Sequence, residues 1–136
     1  MKRTLLTALV FGVVLISRGF AALGQNENEI QNLFGAPLRQ SPPDKKGIIT
    51  NLYNKGNYVI LVQFLDHLSL AESYTRTDKH ELSQKEIDAF LEGSSNGRPW
   101  LKDPNNQQAW VRSDRKAKAW CQTTKTGLPT LLIEVQ

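Results

Sequence analysis

The chain has 136 residues, with 17 Lys or Arg against 13 Asp or Glu, two histidines and one cysteine. A lone thiol, Cys121, cannot close an internal disulfide, so a fold of this length rests on one hydrophobic core. Lys2, Arg3 and Arg18 account for most of the formal +4, and residues 25–136 keep 14 basic against 13 acidic residues, too even a balance for the electrostatic footprint of a nucleic-acid binder.

Lys2 and Arg3 precede an apolar run from Leu5 to Ile16, broken only by Thr7 and Gly12, and the small residues Gly19, Ala21, Ala22 and Gly24 follow. A basic start, a short apolar run and small residues match a cleavable secretory signal over residues 1–24. The run is too short for a bilayer span, which takes about 20 apolar residues. The mature chain is expected to begin at Ala22 or Gln25 and to be periplasmic or extracellular, with no stable membrane span after cleavage. An uncleaved anchor is the alternative, because Arg18 stands unusually close to the cleavage region.

Residues 25–136 then read as a single α+β domain. Asn26 caps a short helix whose apolar stripe is Ile30, Leu33 and Phe34, stopped by Gly35 and Pro37. Pro37 to Gly47 reads as a loop, with Pro42-Pro43 excluding helix. Ile48–Asn54, Tyr58–Leu65 and Leu68–Thr75 read as three strands of a meander, turned at Lys55-Gly56-Asn57 and at Asp66-His67. The middle strand is apolar on both faces apart from Gln63, which places it inside a sheet. In the third strand, alternation sets Leu68, Leu70, Glu72 and Tyr74 on one face.

Ser83-Gln84-Lys85-Glu86 is a capping box, and Ile87, Phe90 and Leu91 continue it as a second helix ending at Gly93. Ser94–Pro99 reads as a loop. Ala109–Ser113, Ala117–Thr123 and Thr130–Val135 read as three more strands, with turns at Asp114–Lys116 and Thr124–Leu128. The expected architecture is therefore two helix-plus-three-strand units forming an antiparallel sheet with the helices on one face. Charge is uneven along it: residues 25–97 hold 7 basic and 10 acidic groups, and residues 98–136 hold 7 basic and 3 acidic.

Ile30-Gln31-Asn32-Leu33-Phe34-Gly35-Ala36-Pro37, the capping-box helix with Asn96-Gly97 and Trp100, and Trp110-Val111-Arg112-Ser113-Asp114 with Ala117 and Ala119 together resemble small exported bacterial proteins of unassigned function. These segments are caps, turns and core positions, and the resemblance brings no catalytic residues. In element order alone the chain is similar to the beta-lactamase inhibitor proteins, which use an aromatic-rich sheet face to grip an enzyme. The paired cysteines expected there are missing here.

Chemistry-bearing residues are few. His67 and His80, flanked by Asp66, Asp78 and Glu81, are the only imidazoles for a metal or acid–base site, and their spacing matches no ligand motif. Cys121 falls in a predicted strand, and no nucleophile elbow, phosphate loop, dinucleotide fingerprint or calcium loop is present. No cofactor is expected. Trp100, Trp110 and Trp120 lie among cations, and Arg112 and Lys118 share the Ala109–Thr123 hairpin with Trp110 and Trp120 while a loop leads to Trp100, a mixture suited to binding a protein or a cell-envelope polymer. A three-residue turn would set Trp110 opposite Trp120, whereas a two-residue turn pairs Trp110 with Ala119 or Cys121. The sequence therefore favours an exported non-enzymatic binding domain. A small hydrolase or metal-dependent enzyme built on His67 and His80 is one alternative, and a proteinaceous enzyme inhibitor is another.

Overall fold

The computed structural model describes residues 23–136, so all but the last two positions of the candidate signal lie outside the described residues. Helix α1 (Glu27–Phe34) is followed by β1 (Arg39–Gln40), β2 (Ile49–Lys55), β3 (Tyr58–Leu65) and β4 (Leu68–Arg76). Helix α2 (Gln84–Gly93) is followed by β5 (Trp100–Asp103), β6 (Asn106–Arg112), β7 (Ala117–Thr123) and β8 (Pro129–Val135). All eight strands form one antiparallel sheet in the order β1-β2-β3-β4-β8-β7-β6-β5. Among the described residues, no helix is long and apolar enough to cross a membrane.

This corrects the expected pair of helix-plus-three-strand units: the described residues form mainly one continuous eight-stranded sheet with two short helices. The strands that sequence patterning misses are the two edges. β1 is two exposed residues ahead of Ser41-Pro42-Pro43, inside the stretch expected to be a loop. Amides of Leu38 and Ser41 donate to the carbonyls of Leu52 and Thr50, so pairing with β2 rather than any alternation makes it a strand. β5 is four residues between Pro99 and Pro104, and proline suits such edges because its missing N–H is not needed there.

Local chemistry sets the helix starts. The Asn26 carboxamide accepts from the Glu29 amide, and Ser83 and Glu86 close the reciprocal capping box that starts α2. Asp66 and His67 both have positive φ, as a two-residue hairpin requires, and Gly56 supplies positive φ at the β2–β3 turn.

The core lies between the helices and one sheet face. Ile30 and Phe34 of α1 and Ile87, Phe90 and Leu91 of α2 pack with Tyr53, Ile60, Val62, Phe64, Tyr74, Trp110, Ala119, Leu131 and Ile133. Register makes that face continuous, with Tyr53, Ile60, Tyr74, Leu131 and Cys121 in one cross-strand row. The next row is Asn51, Val62, Glu72, Ile133, Ala119 and Trp110. A β-bulge changes one expected assignment: Phe64 pairs with Ser69 while Gln63 pairs with Ala71, so Leu70 is the extra residue of β4. Ser69 thereby joins Glu72 and Tyr74 on the helix side, and Leu68 faces away.

The N-terminus of α2 is tied to the sheet by polar groups. The Tyr58 hydroxyl donates to Glu86, whose carboxylate also accepts from Arg76 Nη1 at 3.0 Å and from the Ser83 amide. Burial works to raise the Glu86 carboxyl, but the hydrogen bonds from Ser83, Tyr58 and Arg76 outweigh it and leave the group below its ordinary value. Burial first, and then the Glu86 carboxylate, push Tyr58 up to about 12. The two shifts act at opposite ends of the pH range. A depressed carboxyl contributes stability that is present above the ordinary Glu range and lost as pH falls through its folded value. A raised phenol contributes stability that is present below about pH 10 and lost as pH climbs towards 12. Unfolding midpoints measured against pH are expected to fall on both flanks, and Glu86→Gln should flatten the acid flank. An acid flank unchanged in that variant would show that Glu86 carries none of it.

Candidate functional site

The sheet face away from the helices has no described element packed over it, and its composition follows from register. One row runs Leu52, Leu61, Ser73, Leu132, Trp120 and Ala109 across six strands. Beside it run Thr50, Gln63, Ala71, Glu134, Lys118, Val111 and Leu101. At the end of the β3–β4 hairpin, Leu65 pairs with Leu68 on the same face. A shallow hollow of about 180 Å³ lies over Thr50, Leu61, Gln63, Ser73, Leu132 and Glu134. Of the large hydrophobic side chains that remain exposed, Leu61, Leu65, Leu68 and Leu101 belong to this face.

Trp120 is the one aromatic ring on this face among the described residues. It is half-buried, with Lys118 Nζ 5.3 Å from its centroid and its indole N–H donated to Gln122 Oε1 at 3.1 Å. Lys118 also pairs with Glu134 at 3.2 Å. Both charges of that pair are well exposed, so it contributes little to stability and chiefly fixes the lysine beside the ring.

The other sequence candidates stand on the helix side. The β6–β7 connection is the four-residue loop Ser113–Lys116, which pairs Trp110 with Ala119 and Ala109 with Trp120. The two tryptophans therefore point to opposite faces. Trp110 is buried in the core, and Trp100 donates its indole N–H to the Leu91 carbonyl at 2.6 Å near the end of α2. Arg112 is buried too. Its guanidinium forks onto Asp114 at 2.9 and 3.0 Å, and Nη1 donates to the Ser94 carbonyl at 2.9 Å. The Arg112 guanidinium holds the Asp114 carboxyl below its ordinary value. Of the five residues singled out by sequence, the structure brings together Lys118 and Trp120 on the open face, and Trp100, Trp110 and Arg112 on the other.

The two histidines do not meet. His67 is in the turn entering β4, paired with Glu27 at 3.5 Å, and His80 lies beyond the other end of that strand, whose nine residues span about 30 Å. Among the described residues, no group of three or more His, Cys, Asp or Glu is placed to hold a metal ion. Cys121 lines a small hollow of about 100 Å³ with Glu81, Leu82, Ile87, Gln108 and Thr130. Burial, and then the charge of Glu81, push its thiol up, away from the thiolate that a nucleophile needs.

Sequence reading passes over Glu72, whose side chain is buried and accepts the Tyr74 hydroxyl at 2.6 Å. Burial first, and then the Glu72 charge, hold the Tyr74 phenol well above its ordinary value. It also passes over the open-face leucines, although the two-sided apolar pattern of β3 is their signal.

No protein-family model matches the chain. No curated protein matches it in sequence. Among solved structures, a cysteine-rich secretory protein from Staphylococcus aureus is similar over 84% of this chain and 44% of its own length, at 13% identity and a TM-score of 0.49. The chain thus spans less than half of that protein. A likeness to the beta-lactamase inhibitor proteins is not shown by these comparisons.

Proposed function

We propose that the chain is an exported, non-enzymatic interaction domain that engages a protein through the open face of its sheet, in the periplasm or outside the cell. Export rests on the basic, apolar and small-residue succession of residues 1–24. The observation that carries the binding role is the apolar surface left on that face: Leu61, Leu65, Leu68 and Leu101 are 42, 40, 51 and 57% exposed. Leu61 stands in the cross-strand row of the Trp120 ring, Leu101 ends the neighbouring row and Leu65 pairs with Leu68 at the hairpin end, and exposed apolar side chains on the face of an amphipathic ring are the composition of contact sites. The separation of the histidines and the raised thiol of Cys121 supply no catalytic pairing that would favour the hydrolase alternative.

A second reading, an inhibitor that plugs an enzyme cleft, would use the same surface. Its support is the hollow beside Leu132 and Glu134, though the face offers a single ring where an aromatic-lined grip would have several.

Trp120→Ala separates binding from stability. The ring is half-buried on an uncovered face, so its unfolding midpoint is expected to stay close to wild type, within the range of surface substitutions. Affinity for a protein retrieved from the exported fraction, identified and then titrated in purified form, is expected to drop about 30-fold or more, as for a hot-spot residue. Undiminished affinity in the variant would remove the open face from the function.

A further inference from the structure

On the reading of the first residues as an export signal, we propose that processing cuts the Ala21–Ala22 bond, and that Leu23 and Gly24 stay with the mature protein as part of its fold. The sequence offers a signal peptidase two places, one with Gly19 and Ala21 as the small residues and one with Ala22 and Gly24. The second would remove Ala22, Leu23 and Gly24 as well. The structure separates them, because residues from Leu23 onward are built into the sheet. β8 pairs with β4 from Ala71 to Thr75, and residues 24–26 take up the same edge of β4 ahead of it. The Gly24 amide donates to the Ser69 carbonyl at 2.9 Å, the Ser69 amide donates to the Gln25 carbonyl at 2.8 Å, and Asn26 bridges antiparallel to Leu68. The Gln25 amide donates to the Ser69 hydroxyl at 3.2 Å, a group that the bulge at Leu70 sets on the helix side. Leu23 packs half-buried against the core, and its amide donates to the hydroxyl of Ser94, at the end of α2, at 3.4 Å.

Gly24 has a φ of 80°, a conformation that a side chain would strain, so the path of the backbone accounts for its small size without a peptidase. Cutting after Gly24 would strip Leu23 from the core and take the Gly24 donor from the carbonyl of Ser69, a residue only 2% exposed. It would also turn the Gln25 amide into an ammonium beside that buried residue, at the cost of desolvating a charge. Cutting after Ala21 leaves all of these contacts in place. The step is a hydrolysis by a signal peptidase: water adds across the Ala21–Ala22 amide, the leader departs with a carboxylate on Ala21, and the mature chain keeps an ammonium on Ala22. The bond cut lies ahead of the first hydrogen bond that the described residues make, so folding of the domain and removal of the leader do not compete for the same backbone groups.

The test is the intact mass and N-terminal sequence of the protein recovered after export from the full-length chain. A product running from Ala22 to Gln136 is expected. A product that begins at Gln25 is lighter by one Ala, one Leu and one Gly residue, and finding it would overturn the proposal while leaving the export reading standing. Ala21→Leu sets a bulky residue at the cut and should abolish the Ala22 product, whereas Ala22→Leu, bulky in the other candidate place, should leave processing after position 21 unchanged. The reverse pattern would overturn the proposal too. In the mature protein, Leu23→Ala should lower the unfolding midpoint by about 5 °C, as the loss of part-buried packing in a domain of this size. An unshifted midpoint would take Leu23 out of the fold, and the choice between the two places would lose its basis. A full-length chain held in the membrane would instead bring down the export reading, and the proposal with it.

Discussion

Replacing Phe90 by alanine is expected to cost about 3 to 5 kcal/mol, the range for truncating a buried ring. Phe90 is 1% exposed at the centre of α2. Its ring stacks on Tyr74 at 4.1 Å between centroids and meets Tyr58 edge-on at 5.1 Å. Alanine is the strongest helix former, so the helix itself is not weakened and the loss reports on packing. The hole would be bounded on one side by Tyr58 of β3 and Tyr74 of β4, strands that are each paired on both flanks, so the wall cannot close in to fill it. Denaturant unfolding measures the effect. A loss below about 1 kcal/mol would place the ring at the surface, where substitutions matter little.

Arg112→Ala is expected to cost about 3 kcal/mol, and Lys118→Ala, six residues away on the same hairpin, less than about 0.5 kcal/mol. Both are cations beside a tryptophan in the sequence, but their surroundings differ. Arg112 is buried, and its three hydrogen bonds join the β6–β7 loop to the carbonyl of Ser94 at the end of α2. Removing it leaves that carbonyl facing a void and frees the loop. Lys118 sits on the open face in an exposed ion pair. Arg112→Lys separates charge from shape: a lysine keeps the charge but cannot make the two-pronged contact with Asp114 while reaching Ser94, so an intermediate loss is expected. Equal effects at the two positions, by chemical denaturation, would mean that Arg112 is not the tie between helix and sheet.

What the sequence by itself determined is what neighbours in the chain decide. Asn26 and Ser83 start the helices because a side-chain oxygen three residues ahead of an amide can satisfy it whatever the rest of the protein does. Asp66-His67 turns a hairpin for the same local reason, and the two-sided apolar pattern of β3 announces an interior strand. The tertiary structure decided everything that depends on pairing across the sheet. The edge strands β1 and β5 are too short to carry a pattern and exist because a neighbour presents free backbone groups. The bulge at Leu70 exchanges the faces of Ser69 and Leu68, against the alternation that their sequence suggests. The candidate site divides for a similar reason. Side chains alternate with period two, so the even length of the Ser113–Lys116 loop sends Trp110 into the core and Trp120 to the open face. The sequence order placed Trp110, Arg112, Lys118 and Trp120 in one hairpin, and the register of that hairpin determined which of them stand on the open face.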